Sequence, residues 1–184
     1  MNITFVTGNE NKRREVAAIL NMPDLKSTKM DLPEMQSTNL QEIVEGKIGA
    51  AYKWVCGPVI VEDVSFEVDA LGGFPGTFVK FWEKLAGWDR ALVLADHEKN
   101  ARARARCGVG YKDAEHEFYV EGVVEGRIVT RAGEDGWGFD FYFIPEGYDQ
   151  TYAEMGAAEK IKISHRFKGF TLMREKLASL GILL

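Results

Sequence analysis

Three features of the 184-residue sequence predict an α/β fold. An apolar β segment runs through a glycine turn straight into a helix at residues 2–20, a continuous apolar run at 58–61 has the character of a strand buried on both faces, and an alternating Ala/Arg strand pattern at 100–111 lies between helical stripes. With 46% hydrophobic content the chain can bury one sizeable core, so a single domain spanning residues 1–184 is expected. A net charge of -5 excludes a protein that grips nucleic acid backbones non-specifically, so any anion site must be local. Cys56 and Cys107 stand outside any metal-binding spacing and read as two reduced thiols. No leader and no apolar run of membrane-spanning length is recognised, so a soluble cytoplasmic protein with neither membrane nor nucleic acid as partner is expected.

The opening strand holds Ile3, Thr4, Phe5 and Val6, followed by the turn Thr7, Gly8, Asn9. Asn9 suits the N-cap of a helix whose apolar positions Val16, Ile19 and Leu20 recur at helical spacing and which stops near Asn21, ahead of Pro23. Helices favour acids in the first turn, yet Lys12, Arg13 and Arg14 crowd this one. Two readings follow. A phosphate held by the turn's amides and Lys12 would be stabilised by the helix terminus, or Glu10 and Glu15 offset the cluster on a solvated face. It is not a Walker A loop, which would place a second glycine before the lysine and a hydroxyl after it.

A weak strand at 25–30 and a Pro-containing connection that carries Glu34 come next. The clearest helix spans 40–55, with an apolar stripe of Leu40, Ile43, Val44, Ile48, Ala51, Tyr52 and Val55 broken only by Lys47. That lysine either snorkels along apolar surface to water or aims its ammonium at a ligand. The apolar run 58–61 ends in Glu62 and Asp63, read as two acids at a strand's carboxyl end, where α/β sheets bind ligands. Residues 64–71 extend the sheet or turn back as a hairpin. The bend 72–76 precedes a helix capped by Thr77 and reaching Ala86, with Lys80 near its start, and a second short helix covers 89–95.

In the stretch 100–111 the arginines Arg102, Arg104 and Arg106 are expected to form the strand's solvated face. Strands at 117–124 and 127–130, interrupted at Gly126, and another at 141–144 follow, with a mobile loop at 133–136 between them. Thr151 and Glu154 have capping-box spacing for a short helix. Ser164, His165 and Arg166 open the last helix, which Gly181 stops after Phe167, Phe170, Met173, Leu177 and Leu180 have faced the core. Lys12, Lys47, Lys80 and Arg166 all sit where helix starts or apolar stripes make a cation awkward, and one polyphosphate with a hydrated divalent metal accounts for them together. Trp137, beside Gly138, could offer a flat face to a base, or serve as a core aromatic.

Taken in order, the segments Thr7 to Lys12, Leu32 to Glu34, Val61 to Asp63, Leu71 to Gly76 with Lys80, Trp137 to Asp140, Tyr152 to Met155, and Lys160 with Ser164 to Arg166 resemble the inosine triphosphate pyrophosphatase family over nearly the whole chain. The resemblance implies hydrolysis of non-standard purine nucleoside triphosphates (ITP, dITP, XTP) to the monophosphate and pyrophosphate by a homodimer, and the α/β fold expected is a long mixed twisted sheet with flanking helices, in two lobes around a central cleft. It implies that Thr7, Gly8, Asn9, Glu10, Asn11 and Lys12 bind the phosphates with Lys47 and Lys80, that Glu34 and Asp63 hold Mg²⁺ (Mn²⁺ as substitute), and that Asp63 accepts the proton of the attacking water, with Lys12 also catalytic. Trp137 would stack on the base, Gly138 and Phe139 would bind the substrate beside it, and Asp140, Lys160, His165 and Arg166 would contact base and sugar. Three positions depart from the family pattern. Val64 stands for a small hydroxyl residue beside the phosphates, Phe141 for a proline and Ile161 for an asparagine. These departures leave open a pyrophosphatase of broader or pyrimidine-directed range, and a nucleotide-binding sensor without catalysis.

Overall fold

The computed structural model describes residues 3–31 and 35–183. Among them, seven strands form one mixed sheet in the order β2-β1-β3-β5-β6-β7, with β4 paired to β3. The strands are β1 (Thr4–Val6), β2 (Lys26–Thr28), β3 (Val59–Val68), β4 (Pro75–Gly76), β5 (Arg102–Lys112), β6 (Glu117–Ile128) and β7 (Phe143–Pro145). β1 runs parallel to β2 and β3, whereas β4 is antiparallel to β3 and β7 to β6. The helices are α1 (Glu10–Ile19), α2 (Leu40–Val55), α3 (Val79–Leu85), α4 (Trp88–Glu98), α5 (Tyr152–Ile163) and α6 (His165–Ser179). Among the described residues no helix is long and apolar enough to cross a membrane.

The chain divides into two compact units, Met1–Asp63 with Cys107–Gly122 and Arg166–Leu184, and Val64–Arg106 with Val123–His165. In the first, successive residues of β1 leave opposite faces of the sheet. Val6 joins Leu40, Val44, Ile48 and Ala51 of α2 with Val59 and Val61 of β3, while Phe5 meets Phe170 of α6 edge-on at 5.8 Å. Thus α2 covers one face of this part of the sheet and α6 the other. The second unit is built around Phe66 of β3, stacked on Phe139 at 4.2 Å and met edge-on by Trp88 and Phe143. Ala103 and Ala105 of β5 are buried in the same core.

Several local expectations are corrected. Glu62 and Asp63 do not end a strand, because β3 continues through them to Val68. Thr77 does not cap α3; Phe78 holds that position without a side-chain cap. Gly126 does not interrupt a strand, since β6 runs unbroken past it, and a Cβ there would lie 2.2 Å from the Ile144 carbonyl oxygen. The glycine is required by the close approach of β7. The strand expected from 141 begins at Phe143, after a 3-10 turn, Gly138–Phe141. The β5 arginines are not simply solvated: Arg106 and Arg104 pair with Glu67 at 2.7 and 3.1 Å, and Arg104 and Arg102 reach Asp69. Gly133 is packed, with a Cβ there falling 2.5 Å from the Ala153–Glu154 peptide at the start of α5.

Candidate active site

The first-unit site begins with the loop from β1 to α1. Asn9 caps α1 as expected, its Oδ1 accepting from the amides of Asn11 and Lys12 at 3.0 and 3.3 Å, and Thr7 Oγ1 accepts from the Asn9 amide at 3.1 Å. These three amides are therefore engaged by the loop's own side chains. The basic cluster then separates into two roles. Arg13 pairs with Glu10 at 2.6 Å and Arg14 donates to Asn11, both on the surface. Lys12 turns inward and donates to Glu62 Oε1 at 2.6 Å.

Glu62 is the group that the sequence reading missed. Its fully buried carboxylate also accepts from Arg166 Nε at 2.9 Å, and Arg166, itself fully buried, donates from Nη1 to Glu15 Oε2 at 2.5 Å. A carboxylate out of water is unfavourable unless cations surround it. Burial alone would raise the pKa of Glu62, but the adjacent Arg166 and Lys12 hold it down, at about 2. Burial pulls the Lys12 pKa down, but the Glu62 and Asp63 carboxylates together outweigh burial and the nearby Arg166, so it is raised above the ordinary lysine value. The signal that could have found Glu62 was present: an acid inside a strand that is apolar on both sides must have a cation, and two were unaccounted for.

Asp63, the next residue, leaves the opposite face of β3 and accepts from Lys47 Nζ at 2.5 Å. The break in α2's apolar stripe is thus explained by a carboxylate under it, and the snorkelling alternative is not what the structure adopts. Asp63 keeps a quarter of its side chain exposed. Mg²⁺ takes one or two carboxylates and retains most of its waters. The partly exposed Asp63 suits that ion, while Glu62, enclosed by two cations, does not. Among the described residues no three His, Cys, Asp or Glu gather as a metal cage. Glu34, the other expected ligand, lies outside the described residues.

In the second unit, Asp140 Oδ2 accepts from the Trp137 amide at 3.0 Å and from Lys160 Nζ at 2.7 Å, and both Asp140 and Lys160 are buried. The Lys160 ammonium also lies over the Trp137 ring, 5.0 Å from its centroid. Trp137, Asp140 and Lys160 therefore come together in one cluster. Gly138 opens the 3-10 turn with φ +67, its free side facing the Glu83 carboxylate, whose pKa is raised by burial and by Asp140. Phe139 and Val64 carry their side chains into the core. Phe139 also lies 5.5 Å from the His165 ring, which is buried against Tyr152. Lys80 is exposed on α3.

A model of the Ham1 family matches residues 3–176 of this chain. The chain is 42% identical over 176 residues to inosine triphosphate pyrophosphatase 2 of Trypanosoma cruzi (strain CL Brener), covering 94% of this chain and 90% of that protein. It is 39% identical over 181 residues to the dITP/XTP pyrophosphatase of Methanopyrus kandleri, covering 95% of each. Its fold matches that of the Staphylococcus aureus Ham1 protein with a TM-score of 0.83 and 25% identity, over 97% of this chain and 99% of the other.

Proposed function

The chain belongs to the Ham1 family, and we propose that it is a hydrolase converting non-standard purine nucleoside triphosphates (ITP, dITP and XTP) to the monophosphate and pyrophosphate. The observation that carries this reading is that two adjacent acids of one strand each hold a lysine, Glu62 that of Lys12 and Asp63 that of Lys47. One acid is sealed and serves to fix a cation. The other is accessible and can take a proton.

In the proposed reaction, water attacks the α-phosphorus in line with the departing pyrophosphate, and Asp63 accepts the proton on a carboxylate oxygen. Lys12 and Lys47 offset the charge that grows on the phosphate oxygens, and no covalent enzyme intermediate is needed. Mg²⁺, held by Asp63 with Glu34, would supply further charge neutralisation and a more acidic bound water. Trp137, its amide fixed by Asp140, would stack on the base, with Asp140, Lys160, His165 and Arg166 around base and sugar. The phosphates would take the Thr7 to Lys12 loop and Lys80. A homodimer is proposed from the family resemblance, and a cytoplasmic location is supported by two free thiols.

The test is incubation with ITP, XTP, ATP, GTP and dUTP plus Mg²⁺, with pyrophosphate and orthophosphate measured separately. Pyrophosphate with monophosphate from ITP and XTP is expected, and Asp63→Asn should cut turnover about 10²- to 10⁴-fold. Orthophosphate with diphosphate would redirect the reading to a γ-cleaving phosphatase. Binding without turnover would make the chain a sensor.

A further inference from the structure

Lys12 and Glu15 lie three residues apart on the inward side of α1, close enough in principle to pair with each other. Lys12 donates to Glu62, Glu62 accepts from Arg166, and Arg166 donates to Glu15, so the contacts close a ring that starts and ends on α1 and passes through β3 and α6. The ring alternates sign and holds two cations and two carboxylates. Its centre, Glu62 with Arg166, has no exposed side-chain surface, whereas its ends on α1 keep 18% (Lys12) and 19% (Glu15). Glu62 therefore acts on a ligand only through the cations it holds.

Local packing sets the ring. Gly169, one turn into α6, lets that helix lie against the sheet where a Cβ would stand 3.1 Å from the Cys107 carbonyl oxygen and 3.3 Å from the Gly122 amide. Arg166, one turn earlier, is thereby seated beside β3. Cys107, buried nearby on β5, has its thiol pKa raised by burial and by Glu62, so it stays neutral and adds no charge.

We propose that Glu62 is a positioning residue for this reaction: it fixes the Lys12 ammonium through one carboxylate oxygen while Arg166, braced by Glu15, fixes the other. The inference rests on the pyrophosphatase reading, in which Lys12 meets the phosphates. A lysine has four rotatable side-chain bonds, and an ammonium tethered at 2.6 Å to an immobile carboxylate meets the transition state without first being ordered. A carboxylate that merely holds the fold together would lower stability when neutralised but leave the folded enzyme's kinetics intact.

The experiment is a double-mutant cycle on kcat/KM for ITP with Mg²⁺, using the full chain, Glu62→Gln, Lys12→Met and both together, with folding checked by circular dichroism and gel filtration. Glu62→Gln should lose about 10- to 100-fold, and its further effect in the Lys12→Met background should shrink to about threefold or less. Multiplying losses, or Glu62→Gln within about twofold of an active wild type, would overturn the proposal while leaving the pyrophosphatase reading standing. A wild type inactive on ITP and XTP would overturn that reading and this inference with it. If Glu62→Gln does not fold, Glu15→Gln tests the ring from its exposed end. A loss of about threefold or more that vanishes in the Lys12→Met background supports the proposal, and no loss overturns it.

Discussion

Lys47 donates to Asp63 across 2.5 Å from the single polar position in the apolar stripe of α2. Both side chains retain some contact with water, so the pair contributes modestly to stability, about 0–1 kcal/mol. Its purpose is better sought in the reaction. Lys47→Met keeps the apolar stem and removes the charge, and is expected to lower kcat/KM for ITP more than tenfold while the unfolding free energy changes by about 1 kcal/mol or less. Activity within about twofold, a difference under half a kcal/mol, would make Lys47 structural only.

How far the sequence could be read depended on the range of the signal. Asn9 as N-cap, the bounds of α2 and the Thr151/Glu154 capping box were legible because each is written within a few consecutive residues. Glu62 was misplaced at a strand end because its polarity was read locally, while the cations that permit it inside a strand stand 50 and 104 residues away. Gly126 failed for the same reason: the crowding carbonyl belongs to β7, and nothing beside the glycine reveals it. The β5 alternation correctly gave a strand, but the acids that face its arginines come from residues 67 and 69. In the site, the lysines were legible as cations in awkward places; their carboxylate partners were not.

The second unit offers a stability test. Asp140 and Lys160 are joined at 2.7 Å with side chains 3% and 6% exposed, so removing one partner leaves the other's charge buried. Lys160→Met is expected to lose about 3–5 kcal/mol in urea unfolding, and adding Asp140→Asn should recover a large part of it, because replacing both partners removes the uncompensated charge. A single-variant loss below about 1 kcal/mol would show that water reaches the pair.

Acid should unfold the protein in a defined window. Burial would raise the Asp113 carboxyl, but the Tyr111 hydroxyl and the amides of Glu115 and His116 donate to it and hold it at about 2, where Glu62 also lies. Both are depressed from ordinary values of 3.8 and 4.5, so the stability they contribute is complete above those values and is lost as pH falls towards 2. For Glu62 the shift corresponds to roughly 3 kcal/mol. Unfolding free energy should be flat from pH 7 to about 5 and fall steeply below about 4.5, and Asp113→Asn should make the acid slope shallower. An unchanged slope in that variant would remove Asp113 from the account.

Discrimination between bases turns on hydrogen-bond polarity. Hypoxanthine and xanthine present a carbonyl acceptor at position 6 and adenine an amine donor, while Arg166 has donors and no acceptor. Glu62 and Glu15 hold its guanidinium from two sides, and no part of the side chain reaches solvent. Water therefore cannot repair a mismatch beside it, and an unpaired polar group so placed costs about 1–3 kcal/mol, roughly 5- to 150-fold in rate. Arg166→Ala is a poor test, because it would strand two carboxylates at a cost of about 3–5 kcal/mol in stability. Arg166→Lys keeps the charge, but an ammonium cannot reproduce the planar fork that spans Glu62 and Glu15. The ratio of kcat/KM for ITP to that for ATP is expected to fall about fivefold or more in Arg166→Lys, with ITP losing more than ATP. If both substrates fall together and the ratio holds, the guanidinium serves only to brace Glu62, and discrimination at position 6 passes to Asp140 or to the segment that carries Trp137.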